Sequence, residues 1–125
     1  MFYIIDKPKG IGSNLVAKIL KRIIGTKKIG FLGTLDPLAS GCMIFGTEGT
    51  PRLFPMLEDI PKTYEAIIRL DGTTDSYDLE KPAVAVSVAQ ETIQKLSKLF
   101  IQEYVNAHFL GEIVQTPPMF SATWV

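Results

Sequence analysis

The spacing of apolar residues near the start of the chain predicts a strand followed by a helix. Residues 2–5 form a short apolar run that is typical of a strand. Ser13 is a good N-cap and Gly25 is a suitable C-terminal stop, so we expect a helix between them. The apolar residues of this segment recur at helical spacing and are expected to pack inward: Val16, Ile19, Leu20, Ile23 and Ile24.

Further segments predict two strands and a second helix. Residues 42–45 form an apolar run, and residues 64–70 alternate with the period of a half-buried strand. Ser87 and Gln90 have the spacing of a capping box. The helix after this box is expected to turn three apolar side chains inward: Ile93, Leu96 and Phe100. Short strands mixed with two helices predict an α+β domain.

The composition is that of a soluble globular protein. Of the 125 residues, 46% are hydrophobic and 21% are charged, and no apolar run approaches the length of a membrane span. The N-terminus also lacks the pattern of a secretory signal. Cys42 is the only cysteine and His108 the only histidine, which excludes an internal disulfide and argues against a zinc or iron site. We therefore expect one cytoplasmic domain without a metal.

The net charge is zero, but the charges are unevenly distributed along the chain. Residues 1–57 contain eight Lys or Arg against three Asp or Glu, and the remainder contains five bases and ten acids. A basic half of this kind can attract and hold phosphates, although solvated lysines on a helix face would give the same pattern. The candidate RNA contacts are Lys18, Lys21, Arg22, Lys27 and Lys28. If the first helix packs as its apolar face predicts, these cations lie near any site that contains Asp36.

Asp36 is the strongest candidate for chemistry. It lies between Gly33 and Gly41 and directly before Pro37. Glycines permit tight turns and close approach to a ligand, and the proline disfavours helical geometry at the aspartate. Local composition alone leaves two interpretations open, a rigidly placed reactive carboxylate and an Asp that caps an ordinary turn.

Residues 33–41, Gly-Thr-Leu-Asp-Pro-Leu-Ala-Ser-Gly, closely resemble the catalytic-loop motif of the TruB family of tRNA pseudouridine synthases. Other family motifs match in the right order, at residues 6–10, 62–66, 69–70 and 74–78, and at Gly111 with 117–122. The resemblance runs from about residue 2 to the last residue. It implies a pseudouridine-synthase-like fold with a mixed, largely antiparallel sheet and flanking helices.

The resemblance implies that the chain acts in converting uridine to pseudouridine in the T-loop of tRNA, with no metal or redox cofactor. Asp36 would be the catalytic residue and would act on a flipped-out uridine. Whether it attacks the pyrimidine ring, attacks the sugar or removes a sugar proton stays open. Tyr64 would stack on the target base, and Lys7 and Pro8 would support the catalytic loop. Three residues of that loop would share the supporting role: Gly33, Thr34 and Leu35.

The chain departs from the family pattern just before the catalytic motif. The family usually has a histidine five residues before the aspartate, and here that position is Phe31. Leu32 follows where a threonine is common. A phenyl ring can still wedge against or stack on a base, but it cannot donate a hydrogen bond. We therefore expect Phe31 to contact the substrate through its ring alone.

The resemblance also implies that residues 1–125 correspond to the N-terminal half of a catalytic domain. The family segment that carries an arginine partner for the aspartate is not matched, and neither is the C-terminal RNA-binding module. We expect a second chain or a C-terminal half to complete the fold. The expected partner is the T-arm stem-loop of tRNA, and no membrane partner is expected. The alternative is a non-catalytic RNA-binding remnant of the same family.

Overall fold

A computed structural model describes residues 1–114 and 116, and the chain divides into two compact units. The family-like segment at residues 117–122 lies outside the described residues. The N-terminal unit, Met1–Glu65, contains five elements in this order: β1 (Phe2–Lys7), α1 (Ser13–Ile24), β2 (Ile29–Leu32), β3 (Gly41–Thr47) and a 3-10 helix (Thr50–Leu57). The expected α+β class is confirmed.

The three strands of the N-terminal unit form one antiparallel sheet in the order β1-β3-β2. Phe2 and Tyr3 of β1 pair with Gly46 and Phe45 of the central strand β3. Strand β2 pairs on the other side of β3, with Phe31 opposite Phe45. The strands expected at residues 2–5 and 42–45 are confirmed and slightly longer, whereas β2 is too short to be recognised from its pattern.

One face of this sheet packs against α1 and forms the core. Val16 of the helix is buried against Met43 and Phe45 of β3. The helix ends as expected at Gly25, which adopts the left-handed conformation with φ 73°. The expectation for Ile19 and Ile23 is wrong, because both side chains are exposed. Within the part of the chain that the structure describes, the outer edge of the apolar face of α1 stays largely uncovered.

The opposite face of the sheet packs against the 3-10 helix. Phe54 of that helix is buried over Gly30 and Gly46, two glycines on neighbouring strands. A Cβ atom at Gly46 would lie 2.7 Å from Thr50 Oγ1 and 3.2 Å from the Phe54 ring. The missing side chains therefore allow the 3-10 helix to approach the sheet closely.

The C-terminal unit begins at Ala66 and has two short strands and two helices: β4 (Gly72–Thr73), β5 (Val84–Ala85), α2 (Gln90–Lys95) and α3 (Lys98–His108). Strands β4 and β5 pair antiparallel. None of the described residues of this unit is buried. Over residues 1–114 and 116, no helix has both the length and the apolar character that crossing a membrane requires.

The strand expected over residues 64–70 is absent, and this prediction is wrong. Every residue from 61 to 70 is exposed, and none of them lies in a strand. Alternation of apolar and polar side chains favours a strand only where a neighbouring strand supplies hydrogen-bond partners. No described strand runs beside this segment.

The capping box expected at Ser87 and Gln90 is also wrong. Helix α2 begins at Gln90 after Ala89, and no side chain caps it. The chain then breaks, and α3 starts after Ser97, whose hydroxyl accepts a hydrogen bond from the Phe100 N–H at 3.1 Å. A serine that does cap a helix therefore lies ten residues after the expected one.

We expect Gly46→Ala to lower the free energy of unfolding by about 1–3 kcal/mol, because the new methyl group must displace the 3-10 helix. Gly49→Ala is the matched control, since its φ of −90° suits alanine and no atom lies within 4 Å of the added Cβ. The control should be neutral or stabilising by up to about 1 kcal/mol. Denaturant titration followed by circular dichroism measures both. Equal effects of the two changes would contradict the packing described.

Candidate active site

Asp36 lies in the loop of residues 33–40, which connects β2 to β3. Gly33 has φ +69° and Gly41 has φ +137°. Both values lie in the left-handed region that residues with a side chain rarely adopt, so glycine is needed at each end of the loop. The backbone therefore turns sharply before and after the aspartate.

Ser13 anchors the residue that precedes the aspartate. Its buried hydroxyl donates a hydrogen bond to the Leu35 carbonyl at 2.8 Å and accepts one from the Leu35 N–H at 3.1 Å. The expected N-cap role of Ser13 is wrong, because the N-cap is Gly12 and no side chain caps the helix. Ser13 is instead the first residue of α1 and binds that helix to the Asp36 loop.

Lys7 anchors the residue that follows the aspartate. Its side chain is fully buried at the end of β1, and its ammonium donates to the carbonyls of Pro8 (3.1 Å), Ile11 (2.8 Å) and Pro37 (3.4 Å). The Pro37 carbonyl also accepts from the Gly10 N–H at 2.7 Å. A buried cation satisfied by carbonyls ties the opening loop to the Asp36 loop.

The Asp36 side chain itself has no hydrogen-bond or ion-pair partner among the described residues. Its backbone carbonyl accepts from the Ala39 N–H at 3.0 Å, which closes a turn. Its carboxylate is exposed, and no described residue donates a hydrogen bond to it or pairs with it. The turn interpretation is therefore correct for the backbone, but the carboxylate does not cap that turn.

A cavity of about 350 Å³ adjoins the loop within the N-terminal unit. Its walls are residues 32–35, residues 40–44 around the start of β3, and Leu57 with residues 60–64 at the end of the unit. Asp36 directly follows Leu35 of the wall but does not itself line the cavity. The volume lies at the lower end of the range for small-ligand sites, enough for one flat base.

Tyr64 lines the same cavity as Gly33, Thr34 and Leu35. Its side chain is exposed, so a face of the ring is open to a ligand. Cys42 and Leu32 also line this cavity, although the sequence had given neither a role there. No local signal marks them, because their position depends on which face of the sheet they occupy.

Phe31 occupies the other face of the sheet. Its ring packs on Phe45, with the ring centroids 5.6 Å apart, and it joins the core beneath α1. Strand residues alternate between faces, so Leu32 and not Phe31 is directed toward the cavity. The contact of Phe31 with a target base stays a prediction, and the packing of its ring does not favour it.

The five candidate RNA contacts are all exposed, but they do not form one group beside Asp36. Lys27 and Lys28 precede β2, whereas the Asp36 loop follows it. The four residues of that strand span about 13 Å at 3.3 Å per residue. The expectation that these two lysines lie near the Asp36 site is therefore wrong. Lys18, Lys21 and Arg22 lie along α1.

In the C-terminal unit, two carboxylates accept side-chain hydrogen bonds: Asp78 lies in a segment that resembles the family, and Asp71 directly follows another. Asp71 accepts two hydrogen bonds from Arg69, which hold the pKa of this carboxyl below its usual value and raise that of the guanidinium. Hydrogen bonds from the Ser76 hydroxyl (2.7 Å) and the Glu80 N–H (3.0 Å) lower the pKa of Asp78. The stabilisation from Asp78 is therefore present above its unfolded-state pKa and is lost as the pH falls through the lowered one.

The described residues contain no cluster of three or more His, Cys, Asp or Glu that could hold a metal ion.

We expect Ser13→Ala to release the Asp36 loop from α1. The Leu35 N–H and carbonyl would lose their shared partner, at a cost of about 1–3 kcal/mol in the free energy of unfolding. Ser40→Ala is the control, because Ser40 is exposed in the same loop. Hydrogen exchange of the Leu35 amide should accelerate in Ser13→Ala alone. Unchanged exchange there would show that the hydroxyl does not restrain the loop.

We expect Lys7→Met to destabilise the N-terminal unit by about 1.5–3 kcal/mol, because three partly buried hydrogen bonds from a charged donor are lost. Lys9→Met changes the same charge at an exposed position two residues away, in the loop that follows β1, and should have little effect. Thermal unfolding of the two variants measures the difference. A Lys7→Met protein as stable as Lys9→Met would refute the anchoring role.

Residues 21–125 match the family model described as TruB family pseudouridylate synthase (N terminal domain). The chain is 43% identical over 123 residues to tRNA pseudouridine synthase B of Chlamydia pneumoniae, and the matched region covers 95% of this chain and 48% of that protein. It is 38% identical over 123 residues to the protein of the same name from Campylobacter concisus, and here the matched region covers 98% of this chain and 43% of the relative. The chain thus spans less than half the length of these relatives.

Proposed function

The chain belongs to the TruB family of pseudouridylate synthases, and from this premise we propose that it supplies the catalytic aspartate for converting uridine to pseudouridine in tRNA. The relatives that carry the name tRNA pseudouridine synthase B support tRNA as the substrate. The observation that carries the proposal is the Asp36 carboxylate, which is held by anchored neighbours beside a cavity and is free to react.

The reaction is an isomerisation and needs neither an oxidant nor a second substrate. The bond between N1 of uracil and C1′ of ribose breaks, the base rotates, and a bond forms between C5 and C1′. The proton on C5 leaves, and N1 gains one. A protein must therefore hold a detached base in place, exclude water and supply an oriented carboxylate.

Asp36 is suited to the last of these tasks. Leu35 and Pro37 on either side of it are bound to Ser13 and Lys7, so the loop has little freedom to move the carboxylate. The side chain is exposed, so it is in contact with water before substrate binds. An ionised carboxylate can attack the pyrimidine ring, attack the sugar, or remove a sugar proton, and each of these roles remains open.

The cavity and Tyr64 are suited to receiving the base. Taking a base out of an RNA stack costs a few kcal/mol, and stacking on an aromatic ring returns about 1–3 kcal/mol. Tyr64 lines the cavity with an open ring face, and the side chains of Leu32 and Ile44 form an apolar part of its wall. We propose that the flipped uridine lies against Tyr64 with its reacting atoms toward Asp36.

The finer substrate assignment is the T-loop of tRNA, and it rests on the resemblance of residues 33–41 to the family's catalytic loop. Phosphates of the T-arm would be contacted by the cations of the N-terminal unit, because backbone contacts of this kind position an RNA without reading its sequence. Lys18, Lys21 and Arg22 project from α1 and are suited to such contacts.

One observation favours a second function, RNA binding without catalysis. No cation among the described residues pairs with the Asp36 carboxylate. An oriented carboxylate in a closed site is usually held by a cation or by amide donors. In this alternative the chain would hold tRNA through its basic residues and leave the uridine unchanged.

The proposal is tested by release of tritium from C5 of uridine in a T-arm stem-loop. We expect Asp36→Asn to lower conversion by about 10²–10⁴-fold, since the amide is neither a base nor a nucleophile. Asp59→Asn removes an exposed carboxylate of the same unit that does not line the cavity and should leave conversion unchanged.

The outcomes separate the two functions. Conversion that disappears in Asp36→Asn and persists in Asp59→Asn supports the synthase. Salt-sensitive binding of the stem-loop with no conversion by the unaltered protein supports the binding function instead. Conversion retained by Asp36→Asn would overturn the role of the aspartate.

A further inference from the structure

A second cavity, of about 720 Å³, lies in the N-terminal unit at the end of the sheet away from Asp36. It is open to solvent and is bordered by three parts of the unit: residues 24–28 from the end of α1, residues 47–49 from the end of β3, and Met1, Tyr3 and Arg52. We call it the distal basic groove. It shares no lining residue with the cavity beside Asp36.

The charged side chains of the distal basic groove are mostly positive. Lys27, Lys28 and Arg52 line it, with Glu48 as the single acid. All four are exposed, and within residues 1–114 and 116 none of the three cations forms an ion pair. Three cations that line one open cavity without an ion-pair partner create a positive potential there.

The helix dipole explains only part of this cluster. Lys27 and Lys28 follow the C-terminus of α1, where cations offset the partial negative charge of the last carbonyls. The dipole of α1 does not account for Arg52, because this residue lies on the 3-10 helix, a different element. Its presence in the same groove therefore points to an anionic ligand.

The backbone of the distal basic groove is held in place before any ligand binds. The Thr26 hydroxyl donates to the Lys28 carbonyl at 3.0 Å and accepts from the Lys28 N–H at 3.3 Å. The Glu48 N–H donates to the same carbonyl at 3.4 Å, which joins the two loops that border the groove. A prearranged site loses less conformational entropy on binding.

We propose that the distal basic groove binds backbone phosphates of the RNA whose uridine reaches Asp36. Strand β2 separates the two sites by about 13 Å, which corresponds to about four nucleotides at 3.4 Å of rise per nucleotide in one strand. The position of the bound phosphates about four nucleotides from the target uridine rests on the proposed function. The preference of the groove for phosphate rests on its charges alone.

The experiment measures binding of a T-arm stem-loop by fluorescence anisotropy as the salt concentration is raised. It uses Asp36→Asn protein, so that no substrate is converted. The test variant is Lys28→Gln with Arg52→Gln. The control is Lys95→Gln with Lys98→Gln, which removes the same charge from α2 and α3. Circular dichroism establishes that both are folded.

Each lost phosphate contact lowers the slope of log affinity against log salt by about 0.7–0.9. We therefore expect the test variant to lower the slope by roughly 1.5 and to weaken binding about 30-fold at 0.1 M salt. The control should change neither quantity to this extent. Glu48→Gln removes the opposing charge and should tighten binding of the stem-loop.

These results distinguish the groove from the catalytic proposal. A lower slope in the test variant supports the groove, even if the unaltered protein fails to convert uridine in the tritium assay. Equal slopes for test and control would overturn the groove, even if conversion is intact. Binding of polyglutamate that depends on Lys28 and Arg52, with RNA binding unaffected, would assign the groove to an acidic protein and overturn the proposal.

Discussion

The buried ammonium of Lys7 is the constraint on which the rest of the site depends. A charge removed from water is tolerated only where hydrogen bonds replace its hydration, and here three backbone carbonyls do so. One of them belongs to Pro37, so a shift of the Asp36 loop would leave the cation unsatisfied. Together with the Ser13 hydroxyl on Leu35, this links the position of the carboxylate to the folding of β1 and α1.

The two faces of the three-stranded sheet differ, since one packs against α1 and the other borders the cavity. Phe45 and Phe31 point to the side covered by α1, which carries the core and the anchors of the loop. Leu32 and Ile44 point to the other side, where the 3-10 helix covers the glycines but leaves the cavity open. The loop after β2 is thus supported from one face and accessible from the other. This division follows from the two-residue period of a strand.

Several predictions made from short sequence patterns were wrong, because a short pattern does not show which distant residues surround it. Residues 64–70 alternate like a strand, but no described strand lies beside them to accept their hydrogen bonds. Ser87 has the sequence of a cap, yet Ser97 is the residue that caps. Ile19 shares a helical face with Val16, but only Val16 is buried against the sheet. The alternation at residues 64–70 and the apolar face of α1 are local preferences that the surroundings did not support, whereas nothing in the structure explains why Ser87 does not cap a helix.

By itself, the sequence determined what depends on the backbone near each residue: helix α1, its stop at Gly25, the glycine-bounded turn around Asp36, and the motifs that identify the family. Those features follow from the steric limits of single residues and of short segments. Only the tertiary structure decided that Ser13 binds Leu35, that Phe31 faces the core, and that Lys27 and Lys28 lie far from Asp36. Hydrogen-bond partners and sheet faces depend on strand order and register, which bring residues distant in sequence into contact.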